Sequence, residues 1–143
     1  MNRILKKIIG WTIYAAVLVA LVMGIPKALS YYLKTSYPMA AITSGSMWPA
    51  LKSGDLVLIR GVSAAADIQN GDIVVYQNRR GFTIHRVVIK NGDTFITKGD
   101  ANNVFDNPVP YTALIGKTVM WQGEPVRVPL LGNLSIFLNK KNP

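Results

Sequence analysis

A few side chains in this sequence stand out as able to do nucleophilic or acid–base chemistry. Two are the hydroxyls of Ser44 and Ser46 in SGSMWP, residues 44–49. A serine attacks a carbonyl carbon only when a base takes its proton. The chain has one histidine, His85, inside TIHRVV. A histidine base in turn needs an acceptor on its other ring nitrogen, which fixes the tautomer and stabilises the imidazolium. TKGDANNVFD, residues 97–106, offers Asp100 and Asp106, six residues apart, and spacing does not choose between them. Each group also has a plain structural reading. Serines and glycine suit a turn, and aspartates beside glycine or asparagine are usually turn formers, as Asp55, Asp72 and Asp93 are read here. A lone histidine on a strand is more often a packed residue with a satisfied ring nitrogen. Met47 and Trp48 directly after the serines argue against a simple turn, because a turn in water gains nothing from them. Lipid or an apolar substrate would cover them.

Composition narrows the chemistry. With no cysteine and one histidine, disulfides, thiolate metal sites and multi-histidine metal sites are excluded, and no cofactor is expected. The formal net charge of +9 suggests a polyanion, either nucleic acid or an anionic membrane surface. No nucleic-acid module is recognisable, so the bilayer is the expected partner and nucleic acid is not. A chain of 143 residues is enough for one small domain and a membrane segment but not for two full cores.

The elements that must position these groups begin with an anchor. Residues 8–25, IIGWTIYAAVLVALVMGI, carry no charge. As a helix they span roughly 27 Å, close to the hydrocarbon thickness of a bilayer. Arg3, Lys6 and Lys7 precede the run, and Lys27 and Lys34 follow it, a slight bias that favours the N-terminus inside. Tyr31, Tyr32 and Tyr37 read as an interfacial belt, and Pro26 as the end or kink of the helix. A secretory signal peptide competes, with Ala28, Leu29 and Ser30 as its small-x-small site, but the apolar run exceeds the usual h-region. A buried core helix lacks other helices to pack against.

Beyond Pro38 the pattern turns to short β-type runs at 55–60, 73–77, 83–89, 94–98 and 115–121. They are rich in Val, Ile, Thr and aromatics and are punctuated by Gly-Asp turns. Asn91-Gly92 is a hairpin signal, and no useful helical periodicity follows residue 38. The expected fold is mainly β: one N-terminal transmembrane helix, then a small, mostly antiparallel coiled sheet. The expected division is 1–37 anchor and interfacial segment, 38–131 β catalytic domain, and 132–143 C-terminal tail. In that tail, 134–138 reads as a last strand, a membrane contact or the start of a second anchor, and the lysines after it suit anionic lipid.

Taken together and in order, these motifs resemble type I signal peptidases, the membrane-bound serine proteases that remove signal peptides. SGSMWP is similar to that family's nucleophile box, GDLVLIR and GDIVVYQ to its next strands, IHRVV to the box of the general base, KGDANNVFDNPV to its acidic box, and LIGKTV to the strand that follows. The likeness spans about residues 5–132. Histidine in IHRVV, where common bacterial members have lysine, points to the Ser-His-Asp type found in archaea, the endoplasmic reticulum and some spore-forming bacteria. The resemblance implies Ser46 as nucleophile, His85 as base, Asp106 as third member and Asp100 as a second important carboxylate. It also implies Ser44 with the Ser46 backbone N–H as the oxyanion hole. Substrates would be signal peptides of exported preproteins, cut after small residues, with the export machinery as a further partner. The expected location is the cell membrane rather than the endoplasmic reticulum membrane, with the N-terminus cytoplasmic and the catalytic domain on the outer face. The competing readings are a catalytically silent anchored subunit, a secreted basic β-domain that binds a polyanion, and a self-cleaving Ser-Lys protease.

Overall fold

The computed structural model describes residues 2–79 and 81–140. It opens with α1, Arg3–Leu33, a helix of 31 residues. At 1.5 Å per residue it is about 46 Å long, enough to cross a hydrocarbon core and emerge. None of its residues is buried, and Trp11, Val17, Leu18 and Val22 are all exposed. A helix whose central run is apolar on every side and unburied suits lipid. Pro26 lies inside the helix, so of the two readings from sequence, an end or a kink, the end is excluded. Proline removes one intrahelical hydrogen bond, a loss that membrane-type helices accommodate, and the helix runs on to Leu33. It stops at Lys34, whose left-handed backbone caps it with an N–H bond to the Ser30 carbonyl.

The rest is mainly antiparallel β. The strands are β1 Met39–Ala41, β2 Leu56–Gly61, β3 Ile73–Asn78, β4 Gly81–Asn91, β5 Thr94–Lys98, β6 Val109–Pro110, β7 Leu114–Thr118, β8 Met120–Trp121, β9 Glu124–Pro125 and β10 Arg127–Val128. The main sheet runs β1-β2-β7-β3-β4-β5-β6, with β10 also on β2, and β8 and β9 form a separate ribbon. The run at 115–121 is thus two strands, β7 and β8, split at Val119. The Val119 N–H bonds to Leu58 O and its carbonyl accepts from Val126 N. The β4–β5 turn places Gly92 at its first central position with φ +49°, the left-handed value that a primed hairpin turn requires there.

Strand β3 organises the interior. Four consecutive residues, Ile73 to Tyr76, are buried, so both faces of this central strand are covered. Ile73 and Val75 join one core with Ile42, Met47, Leu51, Val57 and Ile59. Val74 and Tyr76 join a second with Ile68, Val87, Phe95 and Val109. Register pairs Val74 with His85 and Tyr76 with Thr83, and Val87 with Thr97. Alternation along the strands therefore gives His85, Val87, Tyr76 and Thr97 one common face.

Of the forms expected from sequence for the C-terminal segment, the strand is not the one found. The segment is a short helix, α2, Gly132–Lys140, which contacts β1. Its N-terminus fits tightly, because a Cβ on Gly132 would lie 2.5 Å from the Asp55 carbonyl oxygen. Lys141, one of the two lysines read as a lipid contact, lies outside the described residues.

Candidate active site

The SGSMWP segment is a tight turn after β1, held from below. Met47 is buried in the first core and Leu51 is fully buried beside it. Leu51 N–H bonds to the Met47 carbonyl at 2.9 Å and Trp48 N–H to Gly45 O at 3.1 Å. Burying a methionine side chain contributes about 1.5–3 kcal/mol, so Met47 anchors the turn in protein. This corrects the expectation of a lipid or substrate contact for Met47. Trp48 is 58% exposed, and its peptide bond to Pro49 is cis. From the far side Ala101 N–H donates to the Ser46 carbonyl at 2.9 Å. The serine turn and the KGDANN loop are thereby tied together.

The hydroxyl of Ser46 lies 3.1 Å from His85 Nε2, and His85 Nδ1 lies 2.6 Å from Asp106 Oδ2. An ionised carboxylate only accepts hydrogen bonds, so Nδ1 carries the proton and Nε2 accepts from Ser46. Ser44 Oγ is 3.2 Å from Ser46 Oγ. With the Ser46 hydrogen directed to the imidazole, Ser44 is the donor in that pair. His85 is buried at 9% exposure and sits on rigid β4, while Asp106 comes from the loop between β5 and β6. Asp106 N–H bonds to the Thr97 carbonyl at 2.8 Å. This arrangement can take a proton from a serine hydroxyl and stabilise the resulting imidazolium.

Asp100 lies elsewhere. Its two oxygens accept from Arg86 Nε at 2.8 Å and Nη2 at 2.6 Å, and Arg86 Nη1 donates to Gly71 O at 2.8 Å. The Asp100 hydrogen bonds hold the Arg86 guanidinium above its ordinary pKa, against the opposing effect of burial. The pair fastens the KGDANN loop to the residue beside His85, on the opposite face of β4.

Two residues that sequence reasoning did not single out complete the cluster. Thr97 Oγ1 donates to Asp106 Oδ2 at 2.6 Å, and Tyr76 Oη to the same oxygen at 3.3 Å. Thr97 is fully buried and Tyr76 is 4% exposed. Burial is the main cause that pushes the Tyr76 phenol above its ordinary pKa, so it stays a donor. One signal was available: a tyrosine inside the apolar run IVVY must find a partner for its hydroxyl.

An open cleft of about 640 Å³ reaches Ser44, Ser46 and His85. Its apolar walls include β1, Ile42, Ile84, Phe82 and, from α2, Ile136. β1 is the last strand on its side of the sheet, so the cleft runs beside a sheet edge.

Comparison with known proteins gives a consistent set of relatives. The Peptidase S24-like family matches residues 22–123. The signal peptidase complex catalytic subunit SEC11 of Fusarium vanettenii is 32% identical over 129 residues, covering 80% of this chain and 71% of its own. The corresponding subunit of Leptosphaeria maculans is 35% identical over 133 residues, covering 82% and 72%. Signal peptidase I W of Bacillus subtilis is 34% identical over 76 residues, covering 50% and 40%.

Proposed function

The chain matches the Peptidase S24-like family and belongs to the type I signal peptidases, and from that membership we propose that it is a membrane-anchored serine endopeptidase that removes signal peptides from preproteins. The observation that carries the serine assignment is the unbroken chain from Ser46 Oγ through the His85 imidazole to Asp106, at 3.1 and 2.6 Å, opening on an apolar cleft.

In this reading the signal peptide stays in the bilayer and its cleavage region extends along the β1 edge. Main-chain pairing there holds it, as in other strand-addition complexes. Small side chains at the first and third positions before the cut fit between the cleft walls. Ser46 attacks the carbonyl as His85 takes its proton, and the imidazolium is stabilised by Asp106. Ser44 and the Ser46 N–H receive the oxyanion. His85 then protonates the leaving amine, and water releases the acyl group. Asp100 acts on this centre only through Arg86 and the loop.

Residues 1–37 serve as the anchor and interfacial segment, 38–131 as the catalytic domain and 132–143 as a C-terminal tail, of which Ile136 lines the cleft. The anchor places the catalytic domain outside, with the N-terminus cytoplasmic. Fungal and bacterial relatives alike match, and they do not favour the cell membrane over the endoplasmic reticulum membrane. The fungal relatives are named as subunits of a complex, and assembly with further subunits or the export machinery is part of the proposal.

The test is cleavage of a preprotein by the detergent-solubilised full chain beside Ser46→Ala. Product from the first and none from the second is expected. Equal product from both would remove Ser46 as nucleophile. No product from either would favour a silent subunit or a requirement for partners.

A further inference from the structure

Three hydrogen bonds converge on one oxygen of Asp106. Oδ2 accepts from His85 Nδ1 at 2.6 Å, from Thr97 Oγ1 at 2.6 Å and from Tyr76 Oη at 3.3 Å. Thr97 also holds the Asp106 backbone, since its carbonyl accepts the Asp106 N–H at 2.8 Å. Asp106 itself stands on a loop, and its side chain keeps 26% of its surface exposed. Without a second hold, the carboxylate could rotate away from the imidazole. Thr97 and Tyr76 are both buried and come from strands β5 and β3, so their hydroxyls are fixed points. Thr97 and Tyr76 also lie within hydrogen-bond reach of each other at 3.3 Å.

We propose that Thr97, backed by Tyr76, is a positioning residue that locks the Asp106 carboxylate, and through it the tautomer and orientation of His85. This rests on the peptidase reading above, in which His85 is the base. Neither hydroxyl touches the serine or the cleft, so both act through Asp106. The dominant hold is Thr97, whose bond is short and to a charged acceptor. Tyr76 adds a weaker one.

A purely structural threonine would fill the same space without its hydroxyl mattering to the imidazole, and valine separates the two cases. Loss of a hydrogen bond to a charged group corresponds to a rate loss of about ten- to a hundredfold. Thr97→Val is therefore expected to lower kcat by about that factor with KM little changed. Thr97→Ser restores the hydroxyl and should recover most of the rate. Tyr76→Phe keeps the ring and should lower kcat by less than tenfold.

A second readout does not depend on activity. His85 is the only histidine, so imidazole nitrogen NMR of the full chain in detergent micelles reports on it alone. Wild type should show a protected Nδ1–H. Thr97→Val should lose or broaden that signal, and Thr97→Ser should keep it. An unchanged Nδ1–H signal and unchanged kcat in folded Thr97→Val would overturn the proposal. If Thr97→Val does not fold, Tyr76→Phe and Thr97→Ser decide: a weakened signal in the first and a retained one in the second support the lock, and any other pattern refutes it. A preprotein left uncut by wild type would count against the peptidase reading, while the NMR comparison would still test the lock.

Discussion

At the scale of single residues, the two carboxylates of the acidic stretch separate by what they touch. Asp106 meets the imidazole and Asp100 meets Arg86. Asp106→Asn replaces a charge with an amide that cannot stabilise imidazolium. It is expected to lower kcat by about two to four orders of magnitude while the denaturation midpoint stays near that of wild type. Asp100→Asn leaves Arg86 short of its partner. Since the Arg86 side chain is one-third exposed, the expected cost is about 1–3 kcal/mol of stability, with activity falling in step with the folded fraction. Denaturant unfolding and single-turnover kinetics on both variants check this. An Asp100→Asn enzyme of full stability and negligible kcat would overturn the division of roles. His85 stood out as the one histidine, and Ser44 and Ser46 stood out among seven serines because Met47 and Trp48 follow them directly. The choice between Asp100 and Asp106 was not legible from the residues alone. Both sit in turn-forming contexts, and the difference depends on Arg86, which reaches across from β4 to meet one of them. Thr97 and Tyr76 were hidden for a similar reason: their hydroxyls converge only after β3 and β5 have paired with β4.

At the scale of elements, two loops must keep a fixed spacing for the serine to face the imidazole. Gly99 is where they press together: a Cβ there would lie 2.7 Å from the Ser46 carbonyl oxygen and 2.7 Å from Asn102 Nδ2. The first of these is backbone and cannot swing aside. Gly99→Ala is therefore expected to push the serine turn from the imidazole and to lower kcat about a hundredfold, with a stability loss of about 1–3 kcal/mol. Kinetics and thermal unfolding of the variant decide it, and wild-type kcat would show that the turn relaxes without consequence. Elsewhere, the short 3₁₀ turn Ala65–Asp67 is set by its own carboxylate. Asp67 Oδ2 accepts Ser63 N–H at 2.8 Å and Ala64 N–H at 2.9 Å, and these bonds, Ser63 first, hold its carboxyl below the ordinary 3.8. A lowered folded-state pKa means that the bonds stabilise the turn above about pH 4. That contribution is lost as pH falls through the lowered value. Amide protection at Ser63 and Ala64 should accordingly drop on acidification below pH ~4, and Asp67→Asn should abolish that pH dependence. The strands at 56–61, 73–78 and 94–98 were legible to within a residue or two because their apolar alternation and Gly-Asp turns are local. β1, β6, β9 and β10 are two or three residues long and exist only through partners distant in sequence. The short α2 carried too few turns for periodicity to reveal it.

At the scale of the whole molecule, the chain joins an apolar helix with no buried residue to a sheet domain with its own two cores. Apolar side chains also lie exposed beside the site residues: Trp48 follows Ser46 by two positions, and Val104 and Phe105 directly precede Asp106. Such a rim suits work at a bilayer surface, where a membrane-held substrate is presented at high local concentration. Because no residue of α1 is buried, removing residues 1–33 leaves no cavity in either core. Lys34, whose backbone packs on Gly61, is retained. The truncated chain is expected to keep its cooperative unfolding and to cleave a soluble peptide spanning the cut site at the full-length rate. On a preprotein reconstituted in vesicles it should lose about two orders of magnitude in rate, since tethering both molecules to one surface supplies an effective concentration that free diffusion does not. Parallel assays of the two chains on the two substrates separate the effects. Equal loss on both substrates would mean that α1 shapes the site itself. No loss on either would mean that the exposed apolar rim, and not the helix, holds the domain at the membrane.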